Sequence, residues 1–352
     1  MSEPIHIIAY GARTPLGLDA ASSCAAVSAN ITRFEEHPFI VDRIGEPVLL
    51  AQDHILEPDL PNLERFKQLA KSALDELFEQ LEPIQAKVQS VPVYLGLPEP
   101  RPGWNPENAQ AVCLALAQED YAFTLEKIKP VSKGHAAGLC ALQKACDELH
   151  SGKAHVCIVA GVDSYINIDT LGWLDDNKQL ATSYHRGAFF PGEGAGAFAI
   201  APESVVKRLN LNSLATIQYP SIAIEQNLIK TDSVCTGDGL TESIRNTVST
   251  LNSINAMVEG IICDINGERY RGEEWGFTLL RLAESFVDPT DYEIPASCWG
   301  DMGAASAPLF VILAVVAGLQ SSAKGNHYLI WNSSEAGTRA ATLLNLPLEE
   351  AA

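Results

Sequence analysis

Residues 186–196 read Arg186-Gly187-Ala188-Phe189-Phe190-Pro191-Gly192-Glu193-Gly194-Ala195-Gly196, four glycines in eleven positions, and run directly into the apolar residues 197–201. Glycine at this density marks places where one backbone approaches another closely. The apolar residues that follow read as a strand. Working outward toward the N-terminus, residues 5–10, 91–96 and 156–160 are short apolar runs of the same kind. Toward the C-terminus the pattern returns at 258–263 and 328–331, with 340–344 as a pairing candidate. Helical patterns fill the intervals at 19–29, 63–80, 107–118, 136–149, 272–285 and 302–319. Short buried strands alternating with helices predict an α/β protein with largely parallel sheets. The sharpest helix follows Lys133-Gly134-His135. Its apolar residues, among them Leu139, Leu142, Ala145, Cys146 and Leu149, recur at spacings of three and four and form one wide buried stripe. Gly152 is placed to cap it.

The chain has 352 residues, 47% hydrophobic and 19% charged, which suits a soluble globular protein with two cores rather than one. The same order of elements recurs along the chain and predicts an internal duplication. One half takes residues 1–205 and the other 206–352, changing over in the polar stretch 202–212. Twenty-four basic against 44 acidic residues give a formal charge of −20. Phosphate backbones and anionic lipid repel such a polyanion, so neither nucleic acid nor a membrane surface is an expected partner. Eight cysteines (24, 113, 140, 146, 157, 235, 263 and 298) are scattered with no CxxC pair. They read as free, buried thiols of a reducing compartment rather than a disulfide framework or zinc site. No metal and no cofactor is expected. Residues 302–319 carry no charge, but they barely reach spanning length and include Ser306 and Pro308, so a helix buried between two sheets is expected. Met1, Ser2, Glu3 and Pro4 form no basic leader. The expectation is a cytoplasmic protein.

Four motifs resemble one known family, the β-ketoacyl synthases. Gly11-Ala12-Arg13-Thr14-Pro15-Leu16-Gly17, after its strand, is similar to the family's opening G-x-x-T-P-L-G turn. Residues 186–196 look like R-D-G-F-x-x-G-E-G-A-G, with Gly187-Ala188 in place of D-G. Gly300-Asp301-Met302-Gly303-Ala304-Ala305 resembles G-H-x-x-G-A-A, and Asn266-Gly267 falls where the family has H-G-T. The matches occur in family order across almost the whole chain. The resemblance implies a thiolase-like fold, two similar halves in five α/β/α/β/α layers, commonly a homodimer. It also implies structural roles for Gly11, Pro15, Gly17, Arg186, Gly192, Glu193, Gly194, Gly196 and Gly303. Arg186 and Glu193 are expected in internal ion pairs or at the dimer interface.

Decarboxylative condensation needs a thiolate to carry the acyl group and nitrogen donors to stabilise the enolate and thioester oxygen. The family's T-A-C-x-x-G corresponds here to Lys133-Gly134-His135-Ala136-Ala137-Gly138, which puts His135 at the nucleophile position. Asn266 and Asp301 stand at the two histidine positions and Ala296 at the lysine position. Cys140, the next sulfur, is expected to face the core. Glu335, in the segment matching G-F-G-G-T-N, adds negative charge. An Asp301 carboxylate would repel the oxyanion that an imidazole stabilises. Losing one such donor costs about 10²–10³-fold in rate, and losing the nucleophile removes the covalent route. The resemblance therefore implies a catalytically degenerate member with no catalytic residues.

Two functions stay open at this point. One is a non-condensing scaffold, adaptor or chaperone for a protein partner, such as a bacterial secreted effector; the family's chain-length-factor subunits, which lack the cysteine and pair with an active synthase, offer precedent. The other is altered acyl-thioester chemistry, with His135 as base, Asp301 orienting it and Asn266 as oxyanion donor. Against that stand plain helix-start roles. Asp301 would cap the helix after it, and the dipole of the helix after His135 would keep that imidazole neutral. Acyl carrier protein, itself acidic, is disfavoured as a partner by the −20 charge. Arg269, Arg271, Glu273 and Glu274 read as a solvated helix start, and the five tryptophans as core or interface.

Overall fold

A computed structural model describes residues 3–88, 90–228, 231 and 233–347, so Met1 and Ser2 of the leader reading lie outside the described residues. The first half runs β1 (Ile5–Arg13), α1 (Ala20–Ser28), the hairpin β2 (Glu35–Val41) and β3 (Pro47–Leu50), α2 (Asn62–Leu81), β4 (Ser90–Leu97), α3 (Pro106–Ala117), β5 (Thr124–Ser132), α4 (Ala137–His150), β6 (Cys157–Ser164), α5 (Ile168–Asp176) and β7 (Glu193–Pro202). The chain continues through α6 (Glu203–Leu209), β8 (Ala215–Ile217), β9 (Ser221–Ile224), α7 (Asp238–Asn252), β10 (Gly260–Cys263), α8 (Arg269–Leu282), α9 (Ala296–Trp299), α10 (Ser306–Leu319), β11 (His327–Ser333) and β12 (Thr338–Asn345). The position 205/206 falls within α6, whose Val205 and Val206 pack into one core cluster with residues of α2 and α3.

Alternation of side chains builds the layers. On β6, Cys157 and Val159 face a central core while Ile158, Ala160 and Val162 face α2 and α3. On β11, Tyr328 and Ile330 face the same central core, and Leu329 and Trp331 face α7 and α8. Helices α4 and α10 therefore lie between two wings of sheet, with α2 and α3 outside one wing and α7 and α8 outside the other. The result is five α/β/α/β/α layers. Short β8 pairs with both β1 and β12, so the wings join into a single sheet in the order β10-β11-β12-β8-β1-β7-β6-β4-β5, with β9 on β12. This sheet is mixed rather than largely parallel. Only β4–β5, β4–β6 and β10–β11 are parallel among its described pairings. Apolar content reports burial but not strand direction, and β7 and β12 each return antiparallel to the strand before them.

Helix α10 is apolar on every side because its whole surface from Ser306 to Val316 is buried. No helix among the described residues is long and apolar enough to cross a membrane. Its close seat depends on glycine. A Cβ on Gly138 of α4 would sit 2.5 Å from Pro308 Cδ, one on Gly196 3.0 Å from Leu309 N, and one on Gly161 2.4 Å from Ala304 O. Gly161→Val should therefore overpack the helix–sheet contact and destabilise the fold by about 1–3 kcal/mol, read as a lower urea midpoint. A midpoint unchanged from the parent would show that α10 can move away freely.

Candidate functional site

Two equivalent connections create the site. A 3₁₀ turn, Gly134–Ala136, leads into α4, and another, Gly303–Ala305, leads into α10. Because these helices pack side by side, their approaches bring His135 and Asp301 together. The glycine-rich segment quoted at the outset holds the second connection in place. Gly192 N donates to Asp301 O (2.9 Å), and Asp301 N donates to Phe190 O (2.8 Å). A Cβ on Gly192 would lie 2.5 Å from Trp299 O, so only glycine lets the two segments meet. Gly194 and Gly303 are equally confined, against Arg13 O and Asp163 Oδ2. Gly11 lies against Ala73 O of α2, and Gly17 against Ser22 and Ser23 of α1 in the turn that carries Pro15.

His135 Nε2 lies 2.8 and 2.9 Å from the two Asp301 oxygens. Asp301 also accepts from Asn266 Nδ2 (2.5 Å), Gly303 N (2.7 Å) and Tyr165 Oη (3.3 Å). Arg271 Nη2 stands 3.4–3.5 Å from both ring nitrogens of His135. Its other nitrogens reach Asp264 (3.1 Å), Glu268 (3.3 Å) and Ser333 O (2.9 Å). Burial alone would lower the His135 pKa, but the adjoining Asp301 charge outweighs it and the pKa rises. Burial pushes the Asp301 carboxyl up, yet His135, Arg271 and Asn266 hold it far below the ordinary carboxylate range. A carboxylate at hydrogen-bond distance thus outweighs a helix of partial charges, and the His135 pKa moves in the direction opposite to that expected from the dipole.

Three further expectations change. Asp301 does start the turn into α10, through Gly303 N, but it is also the hub of the cluster. All its neighbours donate to it, so it is not a bare repulsive charge. Asn266 is committed to Asp301 and Glu268 and is not a free oxyanion donor. Arg271 and Glu274 are each 1% exposed, not part of a solvated helix start; only Arg269 and Glu273 of that run pair in solvent. Their shared signal was faint, since buried and exposed charges alternate along α8, as at Glu273 and Glu274.

Beside His135 opens a cavity of about 430 Å³. Pro100, Tyr165, Trp173, Leu174 and Phe189 give it apolar walls, and Glu99, Arg101, Lys133, Asp163 and Glu335 give it charge. Trp173 thus lines a cavity, whereas the other four tryptophans are buried. Burial, reinforced by the nearby Glu335 charge, raises the Glu99 pKa. Arg101 Nη2 pairs with Asp163 (2.5 Å) and stacks on the Tyr165 ring. Nothing in the local sequence marked Glu99, Arg101 or Asp163. No cysteine is among the lining residues. Cys140 is 7% exposed, packed in the central core, and burial pushes its thiol up to about 11. Ala296 opens α9 and does not line the cavity. Glu193 forms a buried ion pair with Arg65 (2.8 Å). Arg186 is exposed, in a groove with Glu36, Asp42 and Glu46, and makes no ion pair among the described residues; of the two roles expected of it, internal pairing is not found.

Residues 131–205 match the family model described as beta-ketoacyl synthase, N-terminal domain. No curated protein matches the chain in sequence. Solved structures similar over 98% of this chain include the ishigamide ketosynthase/chain length factor (13% identity, all of that chain, TM-score 0.82). The AntDE:AntF complex of a type II PKS acyl-carrier protein with its ketosynthase bound to the hexaketide is similar too (12% identity, all of that chain, TM-score 0.79). So is the ketosynthase from module 6 of the bacillaene synthase from Bacillus subtilis 168 (13% identity, 72% of that chain, TM-score 0.77). The chain has the thiolase-like fold of the ketosynthases.

Proposed function

We propose that this member of the thiolase-like ketosynthase superfamily is a non-condensing protein, a pseudoenzyme acting as a dimeric scaffold, adaptor or chaperone for a protein partner. One observation carries the reading. The position that a condensing enzyme gives to its thiolate holds His135, tied into a buried ionic cluster with Asp301, Asn266 and Arg271. An imidazole held this way is neither a free base nor an acyl carrier, and no thiol faces the cavity. The likeness to a ketosynthase/chain length factor supports a role through protein surfaces. A bacterial secreted effector is one class of partner to test. An acyl carrier protein is another, although a chain at −20 offers an acidic carrier long-range repulsion.

Affinity capture with the intact protein should recover a specific, stoichiometric partner, and recovery should be unchanged by His135→Gln. The second reading, acyl-thioester hydrolysis or decarboxylation, draws on the open cavity at the His135–Asp301 pair. Turnover of malonyl or acyl thioesters that disappears in His135→Gln would replace the scaffold reading with it.

A further inference from the structure

We propose that Glu225, Cys235 and Glu274 form a binding site for one divalent cation of the zinc class. The inference is independent of the function proposed above. Each residue offers a ligand atom, and the three atoms lie within 4.8 Å of one another. Glu225 and Glu274 are 2% and 1% exposed, and Cys235 is half-buried with its Sγ 3.9 Å from Glu274 Oε1.

The independent sign is an unmet hydrogen-bonding requirement. Glu274 Oε1 accepts from Arg339 Nε at 2.6 Å, but Glu274 Oε2 is buried without a partner. An ionised oxygen left so in the interior is costly, and a metal ion is a standard way of satisfying it. Each Glu225 oxygen accepts one backbone N–H, from Asn227 and from Gly239, which leaves a lone pair on each.

The donor set selects the ion. A thiolate with two carboxylates suits zinc-like cations rather than magnesium or calcium, which favour oxygen alone. Three protein ligands leave a fourth position for water. Charge balances as well: one thiolate and two carboxylates against a dication and the Arg339 guanidinium sum to zero. Binding breaks the Cys235 S–H bond, forms a metal–sulfur bond and releases the proton to solvent. Cys235 lines a groove of about 620 Å³ with Tyr270, Phe277 and Leu280, which gives the ion a path in. The bound cation would tie the connection between β9 and α7 to α8. No sequence motif signals it, because the three ligands are 10 and 39 residues apart and meet only in the fold.

Cobalt, added to chelator-treated full-length protein, is the probe. One equivalent should produce thiolate-to-cobalt charge-transfer absorption, and Cys298→Ala should keep it. Cys235→Ser should abolish the band, and Glu274→Gln should weaken cobalt affinity by about tenfold or more. Absence of the band in the parent protein, or its survival in Cys235→Ser, would overturn the proposal. A readout free of variant folding is alkylation of Cys235 in the parent protein, which zinc should slow about tenfold or more. An alkylation rate indifferent to zinc would also overturn it.

Discussion

Asp301→Ala should lower the unfolding free energy by about 3–5 kcal/mol, the cost of breaking a buried ion pair by removing one partner. The carboxylate is 3% exposed and accepts from His135, Asn266, Tyr165 and Gly303 N. Its removal strands all four donors and leaves His135 facing Arg271 with no compensating charge between them. The loss should depend on pH in a defined way. His135 has a raised folded pKa, so its contribution is full below the unfolded histidine value and is lost as pH rises through the folded one. Asp301 has a depressed folded pKa, so its contribution is full above the unfolded aspartate value and is lost as pH falls through the folded one. The stability difference between the parent and Asp301→Ala should therefore be greatest between about pH 4 and 6.5, the two unfolded values. Urea unfolding at a series of pH values measures it. A difference below about 1 kcal/mol throughout would mean that the cluster does not hold the two helix approaches together.

Glu193→Ala should cost a similar amount, about 3–5 kcal/mol, at a second buried ion pair. Glu193 is fully buried and accepts from Arg65 Nη1 (2.8 Å), Asp53 N (2.9 Å) and Ser164 Oγ (2.8 Å). Those partners come from α2, from the segment after β3 and from β6, so one carboxylate ties three parts of the first half to β7. Removing it leaves the Arg65 guanidinium, itself fully buried, without its counter-ion. Glu193→Gln, which keeps the shape and one acceptor, should lose less than the alanine variant. Chemical unfolding of both variants orders them, and equal losses would assign the effect to packing rather than charge.

Much of the fold was legible because its periodicity is local. The strands and the apolar α10 follow from continuous apolar runs, and the stripe along α4 from residues three or four apart. Strand direction was not legible, since β7 reads as the same apolar run whichever way it enters the sheet. In the site, His135 and Asp301 could be located because each precedes a helix next to a recognisable glycine pattern. What they do there was less accessible. The protonation of His135 depends on Asp301, 166 residues away, and on Arg271, which a one-dimensional reading placed in solvent. Arg271 is buried because α8 turns that face toward Asp264 and Ser333, contacts made across the fold. The cavity walls come from segments as distant as Glu99 and Glu335 and share no motif.

On the function proposed, the ketosynthase fold persists here without the chemistry of condensation. Intact-protein mass spectrometry after incubation with malonyl and acyl thioesters, presented both on coenzyme A and on acyl carrier protein, tests it most directly. An unchanged protein mass and unconsumed thioester are the expected result. A stable acyl adduct on the protein, or thioester turnover that His135→Gln abolishes, would contradict it.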